Sequence, residues 1–169
     1  MKCFYILITA ILLFQLPVSA KIGNKPADNQ KQYGKEISSK NYCEDKKNYA
    51  GKAIYQFPLY GWQIETIYKD GKSFSETVRP KGSKVSKRLL TEYEAASIAA
   101  IAYPREERGP YRKQVKNAHF ISHFYEFGVV SLEMQLDKSR KKQTGVTGVR
   151  CIKYSDNETF SKIMIGAYH

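Results

Sequence analysis

The chain is poor in cysteine, histidine, tryptophan and acid: three Cys, three His, one Trp, and 16 Asp and Glu against 28 Lys and Arg in 169 residues. So few thiols exclude a scaffold stapled by many disulfides. Two of the histidines, His119 and His123, fall four residues apart on a predicted strand. That separates them by roughly 13 Å, too far to share one metal ion, so no metal site is expected. There is one long apolar run, Phe4 to Leu16, shorter than the roughly 20 residues a membrane-spanning helix needs. No internal repeat is visible.

What is present begins with that run. Lys2 precedes it and Val18-Ser19-Ala20 closes it with small residues, the pattern of a secretory signal over residues 1–20, which makes Lys21 the expected first mature residue. The 149 residues that remain suffice for one domain with a core. Removal of the signal lowers the net charge from +12 to +11 and leaves Cys43 and Cys151. In an oxidising compartment two thiols most simply form one bridge, worth on the order of 4 to 5 kcal/mol across so long a loop. Two separate buried thiols are the alternative. The positive charge attracts polyanions such as RNA or acidic membrane surfaces, or serves solubility alone.

Residues 21–47 are polar and lysine-rich and read as a flexible basic arm, with a folded domain over 48–169. Ala53 to Leu59 reads as a short strand, which Pro58 places at an edge or a bulge. Trp62, Ile64, Thr66 and Tyr68 alternate before Asp70-Gly71, and Phe74 and Val78 resume the alternation, which predicts a hairpin. Leu90 to Ala102 predicts a helix, ended by Pro104, with Leu90, Tyr93, Ala96 or Ser97, Ala100 and Ile101 on one face. Arg105 to Asn117 reads as a charged, turn-like segment. Strands are expected at 118–130, 149–154 and 160–165. The expected fold class is therefore α+β, one helix packed on an antiparallel sheet.

Glu126 interrupts the apolar and aromatic run from Phe120 to Val130. An acid there is either paired structure or a base aimed at a hydroxyl. Arg150 opens a strand after the glycine-bearing turn Gly145 to Gly148, suited to an ion pair or to a phosphate.

In order, Tyr103-Pro104, a variable loop, Tyr125-Glu126-Phe127 and Gly148-Val149-Arg150 resemble the secreted guanyl-specific fungal ribonucleases. They are most similar to the ribonuclease-like effectors that powdery mildew fungi secrete into plant cells. The resemblance implies a microbial ribonuclease fold with Glu126 as the general base, Arg150 as the phosphate clamp and Tyr103 as the assisting tyrosine. It also implies a lost general acid: Arg105 stands where those enzymes place a histidine, and the second histidine would fall near Ile165 or Gly166. A catalytically inactive domain is the resulting expectation.

Arg105, Tyr111, Arg112 and Lys113, with Lys141 and Lys142 further on, could hold RNA phosphates and a stacked base, or form two solvated loops. Asn157-Glu158-Thr159 is an N-glycosylation sequon. The expectation is thus a secreted virulence effector, monomeric, without a cofactor or a membrane span, that binds host RNA or a ribonucleoprotein and could be delivered into host cells. Two rivals stand beside it: an active guanyl-specific endoribonuclease, and a scaffold for host protein contacts.

Overall fold

The computed structural model describes residues 22–43, 50–57, 62–80, 89–137, 139 and 142–154. Helix α1 (Pro26–Tyr33) is followed by strands β1 (Ser38–Cys43), β2 (Ala50–Phe57), β3 (Trp62–Lys69) and β4 (Lys72–Pro80). Helices α2 (Glu92–Ala102) and α3 (Arg105–Arg108) come next, then β5 (Tyr111–Lys116), β6 (Phe120–Tyr125), β7 (Gly128–Leu136) and β8 (Gln143–Lys153). All eight strands form one antiparallel sheet in the order β1-β2-β3-β4-β8-β7-β6-β5. Two four-stranded meanders are joined where β8 pairs with β4, with Thr77 opposite Arg150 and Glu76 opposite Cys151.

This corrects the expected class of one helix packed on an antiparallel sheet, microbial ribonuclease-like. The chain is far richer in strand, because polar segments that carry no apolar alternation still pair through their backbones. The segment that reads as a turn-like loop contains β5, whose side chains are exposed or nearly so, as an edge strand allows. The single strand expected at 118–130 is the β6–β7 hairpin, turning at Glu126–Phe127 between the paired Tyr125 and Gly128. Within the expected flexible arm, the described residues Ile22 to Cys43 supply both α1 and β1. Its signals are local ones: Pro26 in the first turn of α1 and Gly34 just past its end. Of its eight residues only Asn29 and Tyr33 are buried, too few to produce an apolar period.

The hairpin at Asp70-Gly71 forms as expected, with φ of 52° and 72° at the two turn residues. Positive values at both positions give the twist that matches the flanking strands. Helix α2 also forms. Thr91 caps it in a reciprocal capping box with Glu94, the Glu94 amide donating to the Thr91 hydroxyl at 3.1 Å. Its buried face, however, is Ala95, Ala99 and Ala102, while Tyr93 is 82% and Ile101 44% exposed. Tyr93 and Ile101 point away from the sheet, while Ile98 packs against the core that contains the alanines.

Both longer helices cover one side of the sheet. Under α2 lie Val130, Val149 and Cys151, together with Ile22, Leu90 and Tyr103. Under α1 lie Tyr33, Ala53, Tyr55, Ile64, Tyr68 and Val78. Trp62 and Ile98 touch both clusters and make one continuous core. The anticipated strand at 160–165, the signal segment, Lys141 and Asn157 lie outside the described residues.

Candidate nucleic-acid interface

The three residues that the ribonuclease resemblance brings together are held apart. Glu126 sits exposed in the β6–β7 turn, where its carboxylate accepts from the Arg112 guanidinium at 3.0 Å. Tyr103 is fully buried. It donates its hydroxyl to the Phe127 carbonyl at 2.7 Å and to the Glu107 carbonyl at 3.2 Å. Burial is the main reason its phenol is pushed well above the usual range, with the nearby Glu107 charge adding to it. Gly128 makes room for this ring, since a Cβ there would run into Tyr103 and the Ile152 carbonyl.

Arg150 lies in the middle of β8, in register with Ser131 of β7 and so with Ser122 of β6. Four residues of strand, about 13 Å, separate that level from Glu126. Its guanidinium donates to Glu133 at 2.9 Å and to the Thr77 hydroxyl at 3.3 Å, and lies over the Phe120 ring. Arg79 grips the same carboxylate with two donors at 2.6 and 2.7 Å. Thus Arg79, Glu133 and Arg150 tie β4, β7 and β8 together on the face away from the helices. Glu133 and Arg79 were not singled out from the sequence; their partner relation depends on strand order, which no local pattern encodes.

The bridge expected between Cys43 and Cys151 does not form. Cys151 is a free thiol, fully buried on β8. Cys43 ends β1, four strands away in the sheet order, or about 19 Å at ordinary strand spacing, far beyond the reach of a disulfide. Burial pushes the Cys151 thiol up to about 12, so it is protonated and unreactive in the folded protein.

The basic residues named from the sequence fare differently. Arg105 opens α3, which leads through Gly109-Pro110 into β5, and Tyr111, Arg112 and Lys113 start that strand. The strand is anchored by its neighbours: the Glu126 amide donates to the Pro110 carbonyl and the Phe127 amide to the Arg108 carbonyl. Arg108, itself buried, donates to the carbonyls of Tyr103 and Ala99 at the end of α2. That capping fixes where β5 departs.

The ladder between β5 and β6 slips between Tyr111 and Lys113, leaving Arg112 as the bulge residue. Bulges re-aim side chains. Tyr111, 55% exposed, packs edge-on against Tyr125 at 5.7 Å between ring centroids and lies 6.4 Å from the His123 ring. Burial, then the Arg108 charge, holds His123 below its ordinary value, so this backing is neutral at neutral pH. Lys113 lies over Phe124 on the opposite face, and Lys116 ends the strand exposed. Lys142 is at that same end, around a shallow hollow of about 420 Å³ with Lys116, Asn117 and Gln143. The strand therefore carries cations along its length and one exposed aromatic ring on a rigid aromatic base. Lys116 lies on the same strand as Tyr111, whereas His123 and Tyr125 join the group only through the pairing of β6 with β5.

Among the described residues no helix is long and apolar enough to cross a membrane. No group of histidine, cysteine and acidic side chains that could hold a metal occurs among them.

No family model matches the chain, and no curated protein matches it. Among solved structures, a cysteine-rich secretory protein of Staphylococcus aureus subsp. aureus Mu50 is similar at 13% identity and a TM-score of 0.42, over 85% of this chain. The chain spans 47% of that protein's length, about half. A likeness this loose carries no argument about function, and it is not to a ribonuclease. With an eight-stranded sheet and with Glu126, Arg150 and Tyr103 apart, the resemblance to the fungal ribonucleases is set aside.

Proposed function

We propose that this chain is an exported, non-catalytic protein that binds single-stranded RNA along β5. Phosphates lie against Arg105, Arg112, Lys113 and Lys116, and an unpaired base stacks on Tyr111. The observation that carries the reading is Tyr111 itself. Charged residues on an edge strand are accounted for by the need to block sheet-to-sheet association, but a half-exposed tyrosine set on Tyr125 and His123 among those charges serves stacking instead. Export is supported by the signal-like first 20 residues. The non-catalytic part is supported by the separation of Glu126, Tyr103 and Arg150 into different parts of the sheet.

The test is fluorescence polarisation of a labelled mixed-sequence oligoribonucleotide with the full mature chain. Tyr111→Ala should weaken binding by about 1 to 3 kcal/mol. Arg112→Ala with Lys113→Ala should flatten the dependence on log salt by about 1.4, at roughly 0.7 per neutralised phosphate on a single strand. No binding at low salt, or a Tyr111→Ala protein that binds like the parent, overturns the reading. RNA cleavage abolished by Glu126→Ala would overturn its non-catalytic part. A protein-docking scaffold is the second reading, favoured by one observation: the exposed Tyr93 and Ile101 on the outer face of α2.

A further inference from the structure

Helix α1 rests on a carboxyl group that has no cation to answer it among the described residues. Glu76, on β4, is completely buried on the helix-covered side of the sheet. Its flanking strands place Thr66 of β3 and Cys151 of β8 directly beside it. From α1 the Tyr33 hydroxyl donates to its two oxygens at 3.3 and 3.5 Å, and Asn29 lends a further hydrogen bond. Around these the Asn29 amide donates to the Tyr68 hydroxyl at 2.9 Å, and the hydroxyls of Tyr68 and Tyr55 share a bond of 2.9 Å. The Tyr33 and Tyr55 rings pack at 5.2 Å.

Among the described residues the titratable groups facing Glu76 are thus the phenols of Tyr33, Tyr55 and Tyr68 and the thiol of Cys151; none is a base that could neutralise it. Every strand in the cluster is fixed by ladder bonds to its neighbours. Helix α1 alone is not. It has eight residues, shorter than the roughly 12 to 15 an isolated helix needs even to be marginal. It is held by Tyr33, Asn29 and the short backbone pairing of Gly23 and Asn24 with Ser73.

We propose that α1 is a proton-controlled latch: it closes over the sheet while Glu76 is protonated and lifts to admit water when Glu76 must ionise. Lifting α1 is the cheapest way to solvate a buried carboxylate, because it breaks side-chain contacts and leaves the sheet intact. The opened form exposes the tyrosine-lined surface of β2 and β3. The direction of the pH dependence follows from burial. Desolvation raises the Glu76 carboxyl from 4.5 to about 7, against the smaller opposing pull of the Tyr33 and Asn29 hydrogen bonds. In the opened form the carboxyl is solvated and returns toward 4.5. Closure is therefore tightest below about pH 4.5, weakens across the interval up to about 7, and levels off above it.

The test is hydrogen–deuterium exchange of the mature chain at pH 5 and pH 8, corrected for intrinsic rates. Amides of residues 29–34 should lose about tenfold or more of their protection at pH 8 while those of β7 and β8 keep theirs. Glu76→Gln, neutral at every pH, should keep α1 protected at both. Protection of α1 that is independent of pH, loss shared equally by the whole sheet, or a Glu76→Gln protein that opens like the parent overturns the proposal. Should Glu76→Gln fail to fold, the carboxyl carbon of Glu76 followed by NMR in the unaltered chain decides. A midpoint above 6 supports the latch, and one at or below 6 overturns it.

Discussion

Beneath α1 the sheet presents Tyr55, Tyr68, Thr66 and a buried Glu76; beneath α2, on the same side, it presents Val130, Val149 and Cys151 against a stripe of alanines. One region is closed by hydroxyls and an amide that must all find partners. The other is closed by close packing of small side chains. Each solution has a characteristic weakness. A buried polar network is strong when satisfied and fails when a charge appears inside it, and in this one the Thr66 hydroxyl has no partner among the described residues. A packed apolar core is indifferent to pH but loses stability with every atom removed. The difference teaches that the sheet carries a titratable end and an inert end, joined through Trp62 and Ile98.

The comparison can be broken most severely at the inert end. Tyr103→Ala removes a fully buried ring and both of its hydrogen bonds. It should cost about 3 to 5 kcal/mol in denaturant unfolding at every pH, and a pH-dependent loss would contradict the contrast drawn above. At the titratable end, the difference in unfolding free energy between the parent and Glu76→Gln should change by on the order of 3 kcal/mol between pH 4.5 and 7.5. This follows from a carboxyl raised by 2.5 units, from 4.5 to about 7. The parent should be favoured at the acid end and lose ground as pH rises. A flat difference would show that Glu76 titrates normally. Smallest is Thr91→Ala, which removes the exposed cap of α2 and should cost about 1 kcal/mol by thermal or chemical melting. It should leave both the pH dependence and the RNA binding proposed for β5 untouched.

Parts of this molecule were legible in the sequence because their causes are local. Asp70-Gly71 supplies the turn residues of the β3–β4 hairpin, and the alanine-rich run ahead of Pro104 supplies α2. The strand β5 was not legible, since Tyr111 to Lys116 exposes nearly every side chain and its place in the sheet depends on backbone pairing with β6. Helix α1 was lost for a related reason: it buries one tyrosine and one asparagine and is polar elsewhere. In the candidate interface, Arg105, Tyr111, Arg112 and Lys113 were visible as a basic segment with an aromatic residue in it. That Tyr111 stands on Tyr125 and His123 was not.

Glu126 shows the limit from the other side. Its neighbours fixed an aromatic-acid-aromatic triplet, but whether that triplet lies mid-strand or in a turn depends on where β6 ends, and the pairing of Tyr125 with Gly128 puts it in the turn. The sequence by itself determined the net charge, the hairpin and cap chemistry, and the strand and helix periods, all set within a few residues by backbone sterics and side-chain spacing. Tertiary structure alone decided that β8 docks on β4, that Arg150 answers Glu133 rather than Glu126, that Cys151 is walled off from Cys43, and that Glu76 is buried under α1. Those outcomes depend on the order of strands, which brings together residues more than 70 positions apart, as for Thr77 and Arg150, and no local rule specifies such contacts.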